Sequence, residues 1–300
     1  MNIIVTGASG FIGTHLFEKA RETYGFNVKA FSSHHINSSH IVCPDEPGFG
    51  PSPADLFHVK RAEILIHAGA FTPKSSAQIN QISGCNSNIN FTKKLLDLPW
   101  QNLKKIIFLS TLDVYDNAEG PINEKSSTVA SSLYGLSKLY CEQMVNIHAK
   151  ENGVITQLLR IGHVYGPGEE KYDKVIPKCI KRIVDNKDIE LWGDGRELRS
   201  FIFIDDVVTA ILNAVKLQEQ PGVINVVGGN PISTYDLIHR LIKIGDRDIG
   251  IIQREFAGTV RNYVFDTAKL KHYLLPEETS LMVGLLKEFR HIEGLRINRH

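Results

Sequence analysis

The stretch Asn2-Ile3-Ile4-Val5-Thr6-Gly7-Ala8-Ser9-Gly10-Phe11-Ile12-Gly13 decides the fold of this chain. Its first five residues form a short apolar run of the kind that is buried on both faces of a parallel sheet. Three glycines follow at the spacing G-x-x-G-x-x-G, and Thr14-His15-Leu16-Phe17-Glu18-Lys19-Ala20 then reads as helix. A glycine turn between strand and helix lets the backbone approach a pyrophosphate, whose charge rests on the helix N-terminus. The spacing differs from the usual dinucleotide fingerprint, G-x-G-x-x-G.

Outward from that turn, Asn27-Val28-Lys29-Ala30-Phe31 reads as a second strand, followed by Ser32-Ser33-His34-His35. In folds of this kind the end of the second strand meets the adenosine ribose, where an acid bonds the 2′-hydroxyl of NAD. No acid stands here. Ser32, Ser33 and His34 offer donors to a 2′-phosphate instead, so the expectation is NADP(H) in preference to NAD(H). Cys43 to Pro53 is rich in Pro and Gly and reads as an irregular loop. Glu63 to Ala70 reads as a buried strand ending in small residues, and Ala68 there lets a cofactor run close to the backbone. Asn88 to Leu96 has a helical pattern, and Lys105 to Thr111 reads as the next strand, with two hydroxyls at its carboxyl end. Open α/β sheets bind their ligands outside such ends.

One loop later comes Ser131-Ser132-Leu133-Tyr134-Gly135-Leu136-Ser137-Lys138-Leu139-Tyr140-Cys141-Glu142. With Ser131 or Ser132 as N-cap, Tyr134 and Lys138 lie four residues apart on one helix face. An ammonium beside a phenol favours the phenolate, so the pKa of Tyr134 is expected to fall towards the range useful for proton transfer.

Composition narrows the class. Three hundred residues allow one large domain or two small ones with a substantial core. Lys+Arg 34 against Asp+Glu 33 gives no bulk charge for nucleic acid or a membrane surface. No apolar run approaches the ~20 residues that cross a bilayer, and no signal peptide is read. Cys43, Cys85, Cys141 and Cys179 are widely spaced, form no metal or redox pattern, and fit a reducing, cytoplasmic setting. Past Gly168 regular strand–helix alternation weakens. Val175 to Asp185 and Thr234 to Ile244 read as amphipathic helices, the second with Ser233 or Thr234 as N-cap.

Taken in order, these pieces resemble the extended short-chain dehydrogenase/reductases, in the nucleotide-sugar epimerase, dehydratase and reductase group. The resemblance rests on Thr6-Gly7-x-x-Gly10-Phe11-Ile12-Gly13, Ser110-Thr111-x-x-Val114-Tyr115, Tyr134-Gly135-x-Ser137-Lys138-x-x-x-Glu142 and Arg160-x-x-x-Val164-Tyr165-Gly166-Pro167-Gly168. Gly193-Asp194-Gly195-x-x-x-Arg199-x-Phe201-x-x-x-Asp205-Asp206-Val207 and Asn225-Val226-Val227-Gly228-Gly229 continue it, leaving only the last ~30 residues weakly patterned.

The resemblance implies an α/β protein: a Rossmann-type, doubly wound parallel sheet with a smaller C-terminal substrate domain. The sheet would take residues 1–165, with 201–228 returning to it, and the substrate domain 166–200 and 229–300. Tyr134 is implied as acid/base, Lys138 as its partner and nicotinamide-ribose anchor, and Thr111 as the hydroxyl that bonds the reacting sugar oxygen. Gly7, Gly10, Phe11, Ile12 and Gly13 are implied at the dinucleotide. Asn88 matches a helix Asn used structurally and in proton relay, on the substrate side. Arg199 and Arg261 match positions that hold a nucleotide-sugar diphosphate, which suits the guanidinium fork. Asp113 and His163 are further candidates at the substrate. Dehydratases of the group place Asp-Glu after the catalytic Thr, whereas this chain has Leu112-Asp113, which argues against a 4,6-dehydratase.

The activity this implies is hydride transfer at C4 of a nucleotide-activated sugar. The leading expectation is a 4-keto-6-deoxyhexose reductase using NADPH. The alternative is a 4-epimerase that retains NAD, and the remote one a non-catalytic NADP sensor. As partners it implies a nucleotide sugar, with a homodimer allowed, and no nucleic acid, membrane or metal.

Overall fold

The protein was analysed as a computed structural model that describes residues 1–32, 40–42, 52–115, 120–256 and 261–297. The strands are β1 (Asn2–Thr6), β2 (Asn27–Ser32), β3 (His40–Val42), β4 (Ile64–His67), β5 (Lys105–Thr111), β6 (Ile155–Ile161), β7 (Val164–Tyr165), β8 (Ile189–Trp192), β9 (Leu198–Arg199), β10 (Ile202–Phe203), β11 (Ile224–Val226), β12 (Ile232–Ser233) and β13 (Ile251–Arg254). The helices are α1 (Phe11–Tyr24), α2 (Pro53–Arg61), α3 (Ile82–Leu96), α4 (Leu133–Asn152), α5 (Val175–Val184), α6 (Ile204–Lys216), α7 (Thr234–Gly245), α8 (Ala268–Tyr273) and α9 (Leu281–Ile297).

Seven strands form one sheet in the order β11-β6-β5-β4-β1-β2-β3, with every neighbouring pair parallel. Parallel strands need crossover helices, which cover both faces and require strands that are apolar on both sides. The strands are built accordingly. Ile3, Val5, Ile107 and Leu109 point into a core shared with α1, α5, α6, α7 and α9. Ile4, Ile106 and Phe108 alternate into a second core with Val59 of α2, Leu95 of α3, and Cys141 and Val145 of α4. This is the doubly wound α/β sheet expected from the sequence. β1 sits between β4 and β2, so the glycine turn leaves the middle of the sheet, where ligands of such sheets bind.

The remaining strands pair outside this sheet: β10 with β7, β12 with β9, and β13 with β8. Past Gly168 only β11 returns to the sheet and the other strands form short pairs joined by helices, which is why alternation fades there. Several boundaries differ from expectation. The strand expected through Ala70 ends at His67, and the small residues after it form the strand exit. The helix expected from Asn88 begins at Ile82. Ser132 caps α4 through a hydrogen bond accepted from Gly135 N (3.1 Å), and Ser233 caps α7. Most of the loop read between Cys43 and Pro53 lies outside the described residues; Ser52 then caps α2 in a reciprocal bond with Asp55.

α9 was not read from the pattern. It buries Leu285, Phe289 and Ile292, but Gly284 and Glu288 on the same stripe are buried too and break the apolar period. No described helix is long and apolar enough to cross a membrane.

Candidate active site

The glycine turn closes against the sheet. Gly10 N donates to Gly7 O (2.8 Å), and a Cβ on Gly13 would fall 1.9 Å from that same carbonyl oxygen. Only glycine lets α1 start this close to the turn. The N-cap, Gly10, has no side chain to bond the first-turn N–H groups, and no acid stands in that turn. The helix's own residues thus supply no cap; the Tyr172 hydroxyl takes the Phe11 N–H, and the rest of the cradle fits a dinucleotide pyrophosphate. Phe11 packs edge-on to His15 and tilted to Tyr172, which brings the later segment over the turn. Ser33 and His34 lie outside the described residues, and of Ser32 only the backbone, at the end of β2, is described.

Beyond β4, Gly69 N donates to Thr6 Oγ1 (2.8 Å), drawing the Ala68 exit against β1. Beneath it His67 bridges the sheet to α3, with Nδ1 2.9 Å from Thr6 Oγ1 and Nε2 2.9 Å from Thr92 Oγ1. Burial, reinforced by the charge of Lys138, holds the pKa of His67 down at about 3. The ring is neutral. Asn88 does not present its amide to the cleft as expected of a substrate ligand. Its Oδ1 accepts from Phe71 N (2.7 Å), and Nδ2 donates to Phe71 O (3.3 Å) and Ser137 Oγ (3.2 Å). It clamps the strand exit to α4.

Thr111 ends β5 and is buried. It caps the following one-turn 3₁₀ helix, Leu112–Val114, accepting from Asp113 N (3.2 Å) and donating to Asp113 Oδ2 (2.7 Å). Tyr134 and Lys138 enter from the first two turns of α4 and are buried as well. Burial first, then the Asp113 charge, push the Tyr134 phenol well above its usual range, and the hydroxyls of Thr72 and Thr111 oppose them. Lys138 is not among the groups that act on the phenol; its Nζ lies 4.2 Å from the centre of the Phe108 ring. Burial lowers the Lys138 pKa to about 8. The fall expected for Tyr134 is therefore reversed. Sharing a helix face placed the two side chains side by side, but desolvation outweighs an ammonium that rests on an aromatic face.

Across the cleft, His163 has φ 31° at the junction of β6 and β7, and its ring meets Tyr263 edge-on at 5.4 Å. Burial, then the charges of Arg199 and Lys174, lower its pKa to about 4; its Nδ1 is buried without a hydrogen-bond partner. Arg199 donates to Arg261 O (2.6 Å) and stacks over Tyr263. The two arginines expected at a diphosphate thus come from distant segments to one place, half-buried.

Four residues quoted as separate motif positions also converge. Arg160 forms a two-pronged bond with Glu142 (3.0 and 2.8 Å) and donates to Tyr115 OH (2.8 Å), which donates to Asn225 Oδ1 (2.8 Å). Thr72, Tyr172 and Tyr263 were not singled out from the sequence. They lie in segments without regular pattern and reach the cleft only through the fold.

A Rossmann-type sheet with a glycine turn opening its first helix, and a Tyr-x-x-x-Lys helix at its strand ends, defines an extended short-chain dehydrogenase/reductase. Residues 3–227 match the model of the NAD dependent epimerase/dehydratase family, and the chain belongs to that family. It is 27% identical to an uncharacterised UDP-glucose epimerase of Bacillus subtilis, over 98% of this chain and 99% of that one. It is 36% identical to dTDP-4-dehydro-6-deoxy-D-allose reductase of Streptomyces bikiniensis, over 81% and 80%. Among solved structures it resembles UDP-glucuronic acid 4-epimerase from Bacillus cereus in complex with NAD. There the TM-score is 0.81 at 25% identity, covering 98% of this chain and 97% of that one.

Proposed function

We propose that this protein is an NAD-dependent 4-epimerase of a nucleotide sugar. The observation that carries the reading is the gathering of Thr111, Tyr134 and Lys138 at the strand ends, beside the glycine turn. The wording of the family description and of two of the similar proteins supports epimerase chemistry with NAD over the reductase and NADP(H) expected at first. In this reading the nucleotide sugar lies between the sheet and segments 166–200 and 229–300.

A dinucleotide held by the glycine turn and Lys138 would supply hydride acceptance and return at C4. The chain's own task is the proton and the geometry. For Tyr134 Oη to receive the proton of the sugar O4 hydroxyl and later return it, as general base and acid, the phenol that burial keeps protonated must first give up its own proton. Thr111 Oγ1 holds that oxygen in line. Lys138, a cation kept close to its neutral form by burial, stands on the same helix face to anchor the ribose. Arg199 and Arg261 clamp the diphosphate.

The second reading is a 4-keto-deoxysugar reductase. It is favoured by the 36%-identical relative and by a phenol that burial keeps protonated, ready to donate to a ketone oxygen. One assay separates the two. The epimerase interconverts UDP-glucose and UDP-galactose with no net change in nicotinamide absorbance; stoichiometric NADPH oxidation on a 4-keto-6-deoxy nucleotide sugar, without interconversion, decides for the reductase.

We also infer a homodimer. Leu133, Leu136, Tyr140 and Ile147 fall on the face of α4 opposite Tyr134 and Glu142 and are exposed, Tyr140 and Ile147 by 57% each. An apolar stripe of this kind suits a second copy. The molecular mass in solution tests it.

A further inference from the structure

Asp113 is the charged group of the reacting cluster to which proton transfer assigns no task. Its backbone N–H and its carboxylate close on Thr111 from both sides (3.2 and 2.7 Å). Thr111 has a single hydroxyl hydrogen, and here it points at the carboxylate rather than into the cleft. The Asp113 turn is pinned: a Cβ on Gly135 would meet Asp113 O at 2.2 Å, so α4 presses on it directly. Asp113 as a whole residue is exposed. Burial of the surrounding turn raises its pKa and the Thr111 bond lowers it, and no Lys, Arg or His acts on it.

We propose that Asp113 is the specificity-determining residue of this site. Its carboxylate selects nucleotide sugars whose C6, one carbon removed from the reacting C4, is uncharged and bears a hydroxyl, and excludes uronates. The inference rests on reaction at C4. To turn its hydrogen to the sugar oxygen, Thr111 must release Asp113, losing a charge-assisted bond. A sugar hydroxyl that donates to the freed carboxylate replaces that bond. A carboxylate at C6 has no hydrogen to give, and it brings like charge towards Asp113, which at an effective dielectric near 20 disfavours binding by roughly 10- to 100-fold. Among the described residues no cation acts on Asp113 to offset it.

The test titrates NAD-loaded protein with UDP-glucose and with UDP-glucuronic acid by calorimetry, and follows 4-epimerisation of each. Wild type is compared with Asp113→Asn and, as a smaller neutral variant, Asp113→Ser. The expected result is at least tenfold preference for UDP-glucose in wild type, and a uronate-to-glucose ratio raised 10- to 100-fold in both variants. The ratio is taken within one protein, so a general loss of fold or cofactor lowers both terms and cancels. Equal use of the two sugars by wild type overturns the proposal, as does a ratio unchanged within threefold in the variants. If neither sugar turns over but the binding ratio shifts as stated, charge selection by Asp113 stands and the epimerase reading falls.

Discussion

Tyr134, Lys138 and Glu142 follow one another at one-turn spacing on a single face of α4, yet the two ends of that row are chemically unlike. At the Glu142 end every charge has its partner: the carboxylate takes both prongs of Arg160, and Arg160 also reaches Tyr115, all of them buried. At the Tyr134 end the phenol faces a carboxylate bonded to Thr111 but to no cation, and the buried ammonium has no acid at contact distance, both among the described residues. Burying a charge without a partner is costly, so a fold keeps such a cluster where a ligand completes it. The closed end holds α4 against β6. On the proposed function, the open end is the reacting end.

Replacing Tyr134 by Phe should have the largest effect. The ring and its packing remain while the proton is lost, so turnover should fall by roughly 10²–10⁴-fold with the melting temperature little changed. Turnover within threefold of wild type would show that the open end is not the reacting end.

The closed end should respond in the opposite way. Glu142→Gln leaves Arg160 buried without its counter-charge, and unfolding by denaturant should show a loss of about 3–5 kcal/mol. A loss below 1 kcal/mol would mean that the pair contributes nothing that neutral packing cannot supply.

A smaller effect should come from pH. His67 belongs to the closed type, neutral and bonded at both ring nitrogens. Its folded pKa of about 3 lies below the unfolded value of 6.5, so the unfolded chain takes up the proton first. The stability it contributes is complete above pH 6.5 and is lost as pH falls towards 3, at up to about 1.4 kcal/mol per pH unit. Between pH 7 and 4.5 wild type should lose about 2–3 kcal/mol more than His67→Gln. Parallel stability curves would show that the folded protein accepts the proton at His67.

Much of the frame was legible because it is written locally. Apolar runs mark β1 and β5, a serine marks the start of α4, and glycine spacing marks the strand-to-helix turn. α9 was not legible, because Gly284 packs against Tyr165 and Glu288 is buried on the very face that should read as apolar. Asn88 was found, but its engagement with the Phe71 backbone was not, since that backbone sits 17 residues away in an unpatterned segment.

By itself the sequence determined the alternation from β1 to α4 apart from β3 and α2, the face that joins Tyr134 to Lys138 and Glu142, and the family. Each of these depends on spacing within a few residues. Only the tertiary structure decided which of those charges is paired and which way each pKa moves. Arg160 meets Glu142 across 18 residues and Tyr115 across 45, and the phenol of Tyr134 answers to Asp113 and Thr72 rather than to the lysine one turn away. Desolvation and Coulomb energy depend on distance in space, and that distance is set when the sheet closes, not along the chain.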